Sequence, residues 1–141
     1  MVKNNSYVEL LSPVGNIEAL YAAIQNGADA VYLGGKLFNA RQYASNFDME
    51  DLKIAVEYAH LRGVKVYVTV NILFSDKEIE KAVDYIKYLY EIDVDGLIVQ
   101  DLGISYLIKK LFPQFELHGS TQMTINNLQG ALFLEQMGFK R

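Results

Sequence analysis

Two residue types that do proton chemistry sit in otherwise apolar surroundings. Glu9 falls within the run Tyr7-Val8-Glu9-Leu10-Leu11, and His118 within Phe115-Glu116-Leu117-His118. A carboxylate placed among apolar neighbours needs a partner or a raised pKa. A histidine there can act as a general base once a substrate proton comes within hydrogen-bond reach. Both are the catalytic candidates of this chain, and each has a structural counterpart, a cross-sheet hydrogen bond for Glu9 and a satisfied core ring for His118. A second group suits recognition. Arg41 carries a planar fork fitted to carboxylate or phosphate, or to a loop-ordering ion pair. Asn71, Gln100, Ser120 and Gln122 offer amide and hydroxyl groups fitted to a polar ring, and equally to bracing a loop. His60 reads as a surface or helix-end residue, Asp101 as a helix cap, and Asp48 and Glu50 as acidic residues at a helix start.

Several chemistries are missing from the sequence. It has no cysteine, and hence no disulfide or thiolate nucleophile. It has no His-x-x-x-His or Cys-x-x-Cys spacing, nucleophile elbow or P-loop, and no metal site is expected. Gly34-Gly35 is too short to cradle a phosphate. Tyr85, Tyr88 and Tyr90 lie along one helical run and read as barrel-wall cover. The formal net charge is −4, which argues against a strong non-specific nucleic-acid binder. Neither a signal peptide nor a membrane span is expected, so the chain reads as cytoplasmic.

The elements that must position these residues recur as strand-then-helix units. Strands are expected at about Val8–Leu11, Ala30–Leu33, Val64–Val70, Gly96–Val99 and Phe115–His118. Asn16, Asp48 and Asp101 are expected helix caps, and Ser75 with Glu78 forms a capping-box pattern. Ile17, Leu20, Ala23 and Ile24 form the apolar stripe of the first helix, and Ile79, Ala82, Val83, Ile86 and Leu89 that of the third. A loop from Lys36 to Phe47 carries Arg41, Gln42 and Asn46. Helical runs end at Gly27, Gly63 and Gly138, where glycine takes the left-handed position cheaply before a strand.

Alternating βα units imply a mostly parallel sheet covered by helices. At 141 residues the chain is shorter than the ~250 of a complete TIM-type barrel. The reading is therefore a single domain, 1–141, holding five βα units of a truncated TIM-type (β/α)8 barrel and ending at the start of a sixth strand. The alternative is a complete flavodoxin-like doubly wound sheet. Either fold binds ligands at the carboxyl ends of its strands, where Ser12, Asn16, Asn71, Gln100, Asp101, Ser120, Thr121 and Gln122 fall, with Glu9 and His118 grouped beside them. A truncated barrel leaves an open sheet edge, and with it an expectation of oligomers or swapped elements.

The same residues carry a family resemblance. Glu9-Leu10-Leu11-Ser12-Pro13-Val14-Gly15-Asn16 is followed by Gly27-Ala28-Asp29-Ala30-Val31-Tyr32-Leu33-Gly34. Arg41, Ala44, Asn46 and Phe47 come next, then His60-x-Arg62-Gly63-Val64-Lys65, Val68-Thr69-Val70-Asn71 and Ser120-Thr121-Gln122. In this order they resemble the collagenase-like peptidase family of unknown catalytic type, peptidase family U32, from about Tyr7 onward. The resemblance implies three kinds of activity: collagenase-like proteolysis, hydroxylation of uridine in tRNA or cytidine in ribosomal RNA, and assistance to oxygen-independent ubiquinone hydroxylation. It further implies an iron–sulfur cluster on cysteines downstream of this region, a cysteine-containing peptidase signature also downstream, and prephenate as hydroxyl source in the tRNA branch. No cofactor is expected on these 141 residues themselves, which would be inactive alone. The function expected of the full-length protein is hydroxylation of RNA pyrimidines, of the tRNA uridine type, with tRNA or ribosomal RNA as partner and a small carboxylate as co-substrate. The alternatives are a collagenase-like protease and a non-catalytic fragment that binds a partner or its missing half.

Overall fold

Sequential strand pairing organises the molecule. The structure is a computed structural model that describes residues 8–41, 43 and 45–141. Gln42, Ala44 and the segment up to Tyr7, including the start of the family resemblance, lie outside the described residues. Five parallel strands are found among those described: β1 (Leu11–Pro13), β2 (Ala30–Gly34), β3 (Lys65–Val70), β4 (Gly96–Val99) and β5 (Glu116–Gly119). The helices between and after them are α1 (Ile17–Gln25), α2 (Met49–His60), α3 (Ile79–Glu91), α4 (Leu102–Leu111) and α5 (Leu128–Gln136). A 3-10 turn at Thr121–Met123 precedes α5.

The strands lie side by side in chain order, β1-β2-β3-β4-β5. A flavodoxin-like sheet would place β1 inside the order and reverse direction there. That alternative is therefore corrected: the sheet winds one way only. The core agrees. Side chains alternate across a strand, and Val31, Leu33, Val66, Val68, Val70, Leu97, Val99 and Leu117 form one buried cluster with residues of all five helices. The helices thus cover one face. Beyond a row of Leu11, Ala30 and Lys65 at the amino end, the opposite face carries two more rows set by the register. Pro13, Tyr32, Tyr67, Gly96 and Glu116 form the first, and Gly34, Thr69, Ile98 and His118 the second.

Local chemistry explains the element boundaries. Asn16 Oδ1 accepts from Ala19 N–H, Asp48 and Asp51 form a reciprocal capping box, and Asp101 Oδ1 accepts from Ile104 N–H. Gly27, Gly63 and Gly138 all have positive φ, at 93°, 70° and 90°, the conformation that releases the chain from a helix. Ser75 and Glu78 do interact, since Glu78 Oε2 accepts from Ser75 N–H at 2.9 Å and from its hydroxyl at 2.6 Å. They close a turn ahead of α3, which begins at Ile79 without a side-chain cap.

Four strands shift their bounds, β2 running on to Gly34 and β3 starting at Lys65 rather than Val64. β5 extends to Gly119, and Phe115 stays outside it in the helix-side core. β1 begins at Leu11 rather than near Val8, because Asp29 takes the preceding segment: its carboxylate accepts from Leu10 N–H at 2.7 Å, and its own N–H donates to Leu10 O. Beyond α5, Phe139 bridges Leu117 in parallel, and Lys140 N–H donates to Leu117 O at 2.8 Å. Gly119 N–H donates to Arg141 O at 2.6 Å. Residues 139–141 thus lie along the free side of β5.

Candidate functional site

The carboxyl ends of β2 to β5 carry a connected polar layer. Asn71 directly follows β3 and spans it. Its Oδ1 accepts from Ala40 N–H at 3.1 Å, and its Nδ2 donates to Ser120 Oγ at 3.4 Å. Ser120 Oγ also accepts from Gln122 N–H at 3.2 Å, and Gln100 Nε2 donates to Gln122 O at 3.4 Å. Asn71, Gln100, Ser120 and Gln122, which the sequence singles out, therefore meet at one end of the sheet.

Arg41 joins this layer through its backbone. Asn39 Oδ1 accepts from Arg41 N–H at 2.9 Å, and Asn46 Nδ2 donates to Arg41 O at 2.9 Å. Asn39 Nδ2 donates to Asn46 Oδ1 at 2.7 Å. The two asparagines clamp the backbone at Arg41, while its side chain stands exposed. The chain reaches Asn39 through Phe38, whose φ of 55° is unusual for a bulky residue. The Phe38 ring packs 5.2 Å from Phe74 and 5.9 Å from Tyr85.

Gly34-Gly35 serves this loop by its lack of side chains. A Cβ on Gly34 would overlap the Asn39 amide, and one on Gly35 would overlap the Tyr85 hydroxyl. The pair admits Asn39 on one side of the strand and Tyr85 on the other. Tyr85 is accordingly buried, and its hydroxyl has no hydrogen-bond partner among the described residues.

Glu9 and His118 take other places. Glu9 precedes β1 and lies at the amino end of the sheet, so its grouping with the strand-end residues is corrected. It pairs with Arg141 and accepts from the Tyr67 hydroxyl at 3.2 Å. The Arg141 hydrogen bond holds the Glu9 carboxyl below its ordinary value, against some desolvation. Burial pushes the Tyr67 phenol up to about 12. Gly96 makes room for that ring, since a Cβ there would press on Tyr67 Cδ1 and Glu116 O. His118 is 4% exposed. Its Nε2 lies 2.8 Å from Glu116 Oε1, and its ring meets Tyr67 edge-on at 4.5 Å. Glu9, Arg141, Glu116, His118 and Tyr67 thus form a second polar cluster, away from Arg41.

The remaining candidates serve as braces. His60 ends α2, with Nε2 2.8 Å from Asp95 Oδ2. Asp101, besides capping α4, accepts from Phe74 N–H at 3.3 Å. Ser12 pairs with Val31 and shares its helix-side face. Asn16, the cap of α1, borders a cavity of about 830 Å3 with Lys36, Ser45 and Asn46. Sequence reasoning missed Asn39 and Tyr67. The doubled glycine was the available signal for Asn39. Tyr67 had none, because an alternating strand residue is read as apolar lining.

A singly wound parallel βα sheet with its helices on one face, and a polar layer at the strand ends, defines an α/β domain of the kind that binds ligands at that end. The chain belongs to peptidase family U32, whose model matches residues 15–141. It is 44% identical over 139 residues to 23S rRNA 5-hydroxycytidine C2501 synthase of Escherichia coli strain K12, a match covering 99% of this chain and 21% of that protein. It is 38% identical over 133 residues to tRNA hydroxylation protein P1 of Bacillus subtilis strain 168, covering 94% of this chain and 32% of that protein. The fold is similar to that of the U32 peptidase Mk0906, with a TM-score of 0.76 and 14% identity, covering 99% of this chain and 59% of the other. The chain spans about a fifth to a third of the length of the two curated relatives.

Proposed function

We propose that this chain is the N-terminal part of a protein that hydroxylates a pyrimidine in RNA. The observation that carries the reading is the 44% identity, across nearly the whole chain, to a protein named for 5-hydroxycytidine synthesis in ribosomal RNA. The strand-end layer fits it chemically. A pyrimidine presents ring and exocyclic donors and acceptors, which amide side chains such as Gln100 and Gln122 complement. Arg41 supplies a bidentate cation for a small carboxylate co-substrate or an RNA phosphate.

The site is one of binding and orientation. An iron–sulfur cluster, implied by the family resemblance, would need thiolates, and these 141 residues contain no cysteine. They do not fit that group, and no step is assigned to it here. We read the segment as five βα units of a TIM-type (β/α)8 barrel whose remaining part completes the site. No described helix is long and apolar enough to cross a membrane, and a cytoplasmic location, where tRNA and ribosomes are found, goes with the proposal. The protease reading rests on the family's name and on relatives named as a protease and a collagenase, 37% and 35% identical over 126 residues. His60 and His118 are both taken up by carboxylates, Asp95 and Glu116.

Nucleoside mass spectrometry on tRNA and ribosomal RNA from a strain lacking the gene tests the proposal. Loss of one hydroxylated pyrimidine is expected. An unchanged profile together with gelatin cleavage by the full-length protein would overturn it in favour of proteolysis.

A further inference from the structure

Asn71 follows β3, Arg41 stands in the loop after β2, and Ser120 follows β5; a single side chain joins all three places. We propose that Asn71 is a positioning residue, a strut that holds the Arg41 loop against the end of β5 and does not itself contact the ligand. The inference rests on the reading of the strand ends as the binding site.

Each polar atom of the Asn71 amide holds one bond within the protein. Oδ1 receives Ala40 N–H at 3.1 Å and Nδ2 donates to Ser120 Oγ at 3.4 Å. Ala40 is the residue before Arg41, so the bond fixes the backbone where the guanidinium departs. Arg41 N–H is held at Asn39 Oδ1 and its carbonyl by Asn46 Nδ2. Asn39 is buried and leans on Gly34, where no Cβ intervenes. Three asparagines from two elements therefore order the backbone of one exposed arginine. A fork that binds an anion in two parallel hydrogen bonds gains most when its base is held in advance. Ser120 supplies the far anchor, and through Gln122 N–H it ties the same strut to the 3-10 turn after β5. Loosening Asn71 thus frees the Arg41 backbone without removing any ligand contact.

Residue-resolved amide hydrogen exchange in the intact protein tests this, using Asn71→Leu and Asn71→Asp. Leu fills similar volume but accepts nothing, whereas Asp keeps an acceptor for Ala40 N–H. We expect Asn71→Leu to speed exchange at Ala40 and Arg41 at least tenfold while β3 and β4 amides stay within twofold of wild type. Asn71→Asp should restore slow exchange at Ala40. Unchanged exchange at Ala40 in Asn71→Leu overturns the proposal, as does equal acceleration across the sheet. If Asn71→Leu does not fold, fast Ala40 exchange in a well-folded Asn71→Asp protein overturns it as well. Hydroxylation by the intact protein gives a second readout. The losses caused by Asn71→Leu and Arg41→Lys should be strongly non-additive, because one acts through the other, and full additivity counts against the strut. Absence of any RNA hydroxylation would defeat the functional reading while leaving the exchange result to decide the role of Asn71.

Discussion

Gly35 and Tyr85 form a pair whose behaviour follows from sterics and desolvation. A Cβ on Gly35 would overlap the Tyr85 hydroxyl, which is buried without a partner among the described residues. Tyr85→Phe removes a polar group that has lost water and gained nothing, so it should leave stability unchanged or raise it by about 1 kcal/mol. Gly35→Ala alone overpacks the site and should cost about 1–3 kcal/mol. Combined with Tyr85→Phe, the cost should shrink, and denaturant melts of the single and double variants measure that coupling. The cluster of Glu9, Arg141 and Tyr67 gives pH predictions of opposite sign. Glu9 has its folded pKa depressed by the Arg141 hydrogen bond. Its contribution is complete above the ordinary glutamate value of 4.5 and is lost as the pH falls below it. Tyr67 is raised by burial from 10.0 to about 12. Its contribution is complete below pH 10 and is lost as the pH rises toward 12. Thermal melts across pH should show both limbs. Glu9→Gln should flatten the acid one, and an acid limb of unchanged slope in that variant would remove Glu9 from the account.

At the scale of elements, caps and braces carry most of the local specification. Asp101 serves α4 through Ile104 N–H and the segment before α3 through Phe74 N–H. Asp101→Ala should cost about 1–2 kcal/mol. His60→Ala should cost no more than about 1 kcal/mol, because its pair with Asp95 is half-exposed. Equal losses for the two, read from chemical denaturation, would contradict this ranking. These elements were legible in the sequence because their causes are local. Asn16, Asp48 and Asp101 act within three residues, and the glycines at 27, 63 and 138 act on their own φ. β1 was misplaced because Val8 to Leu11 is an apolar run, while the ladder begins only where Asp29 releases the backbone. The site was legible as a set of residue types and not as contacts. Asn71 and Ser120 are 49 residues apart, and Glu9 and Arg141 132 apart. Register brings such residues together, and no short-range pattern encodes it. The amino-end position of Glu9 followed from that register as well.

For the whole molecule, one-way winding leaves the two faces of the sheet unequal. The helix side is filled by a continuous apolar core, and the other side carries Tyr32, Thr69, Ile98, Glu116 and His118, buried or half-buried. α5 contributes only Leu134 to the core. Leu128 is 68% exposed, and Ile125, Leu132 and Phe133 are exposed beside it, with a cavity of about 540 Å3 reaching to Gly119 and Phe139. An apolar surface of this kind associates in water. These 141 residues prepared alone should therefore self-associate as concentration rises, and Leu128→Lys with Leu132→Glu should weaken that. A monodisperse monomer at high concentration in sedimentation equilibrium would count against it.

The central claim is that the strand-end layer, with Arg41 as its cation, serves RNA pyrimidine hydroxylation. The most direct measurement is complementation of the gene-deletion strain, read as the fraction of the hydroxylated nucleoside restored in tRNA or ribosomal RNA. Wild-type protein should restore it fully. Arg41→Lys, folded and equally abundant, should restore much less, because lysine lacks the bidentate fork. Full restoration by Arg41→Lys would remove Arg41 from the site, and failure of the wild-type protein to change any nucleoside would contradict the account itself.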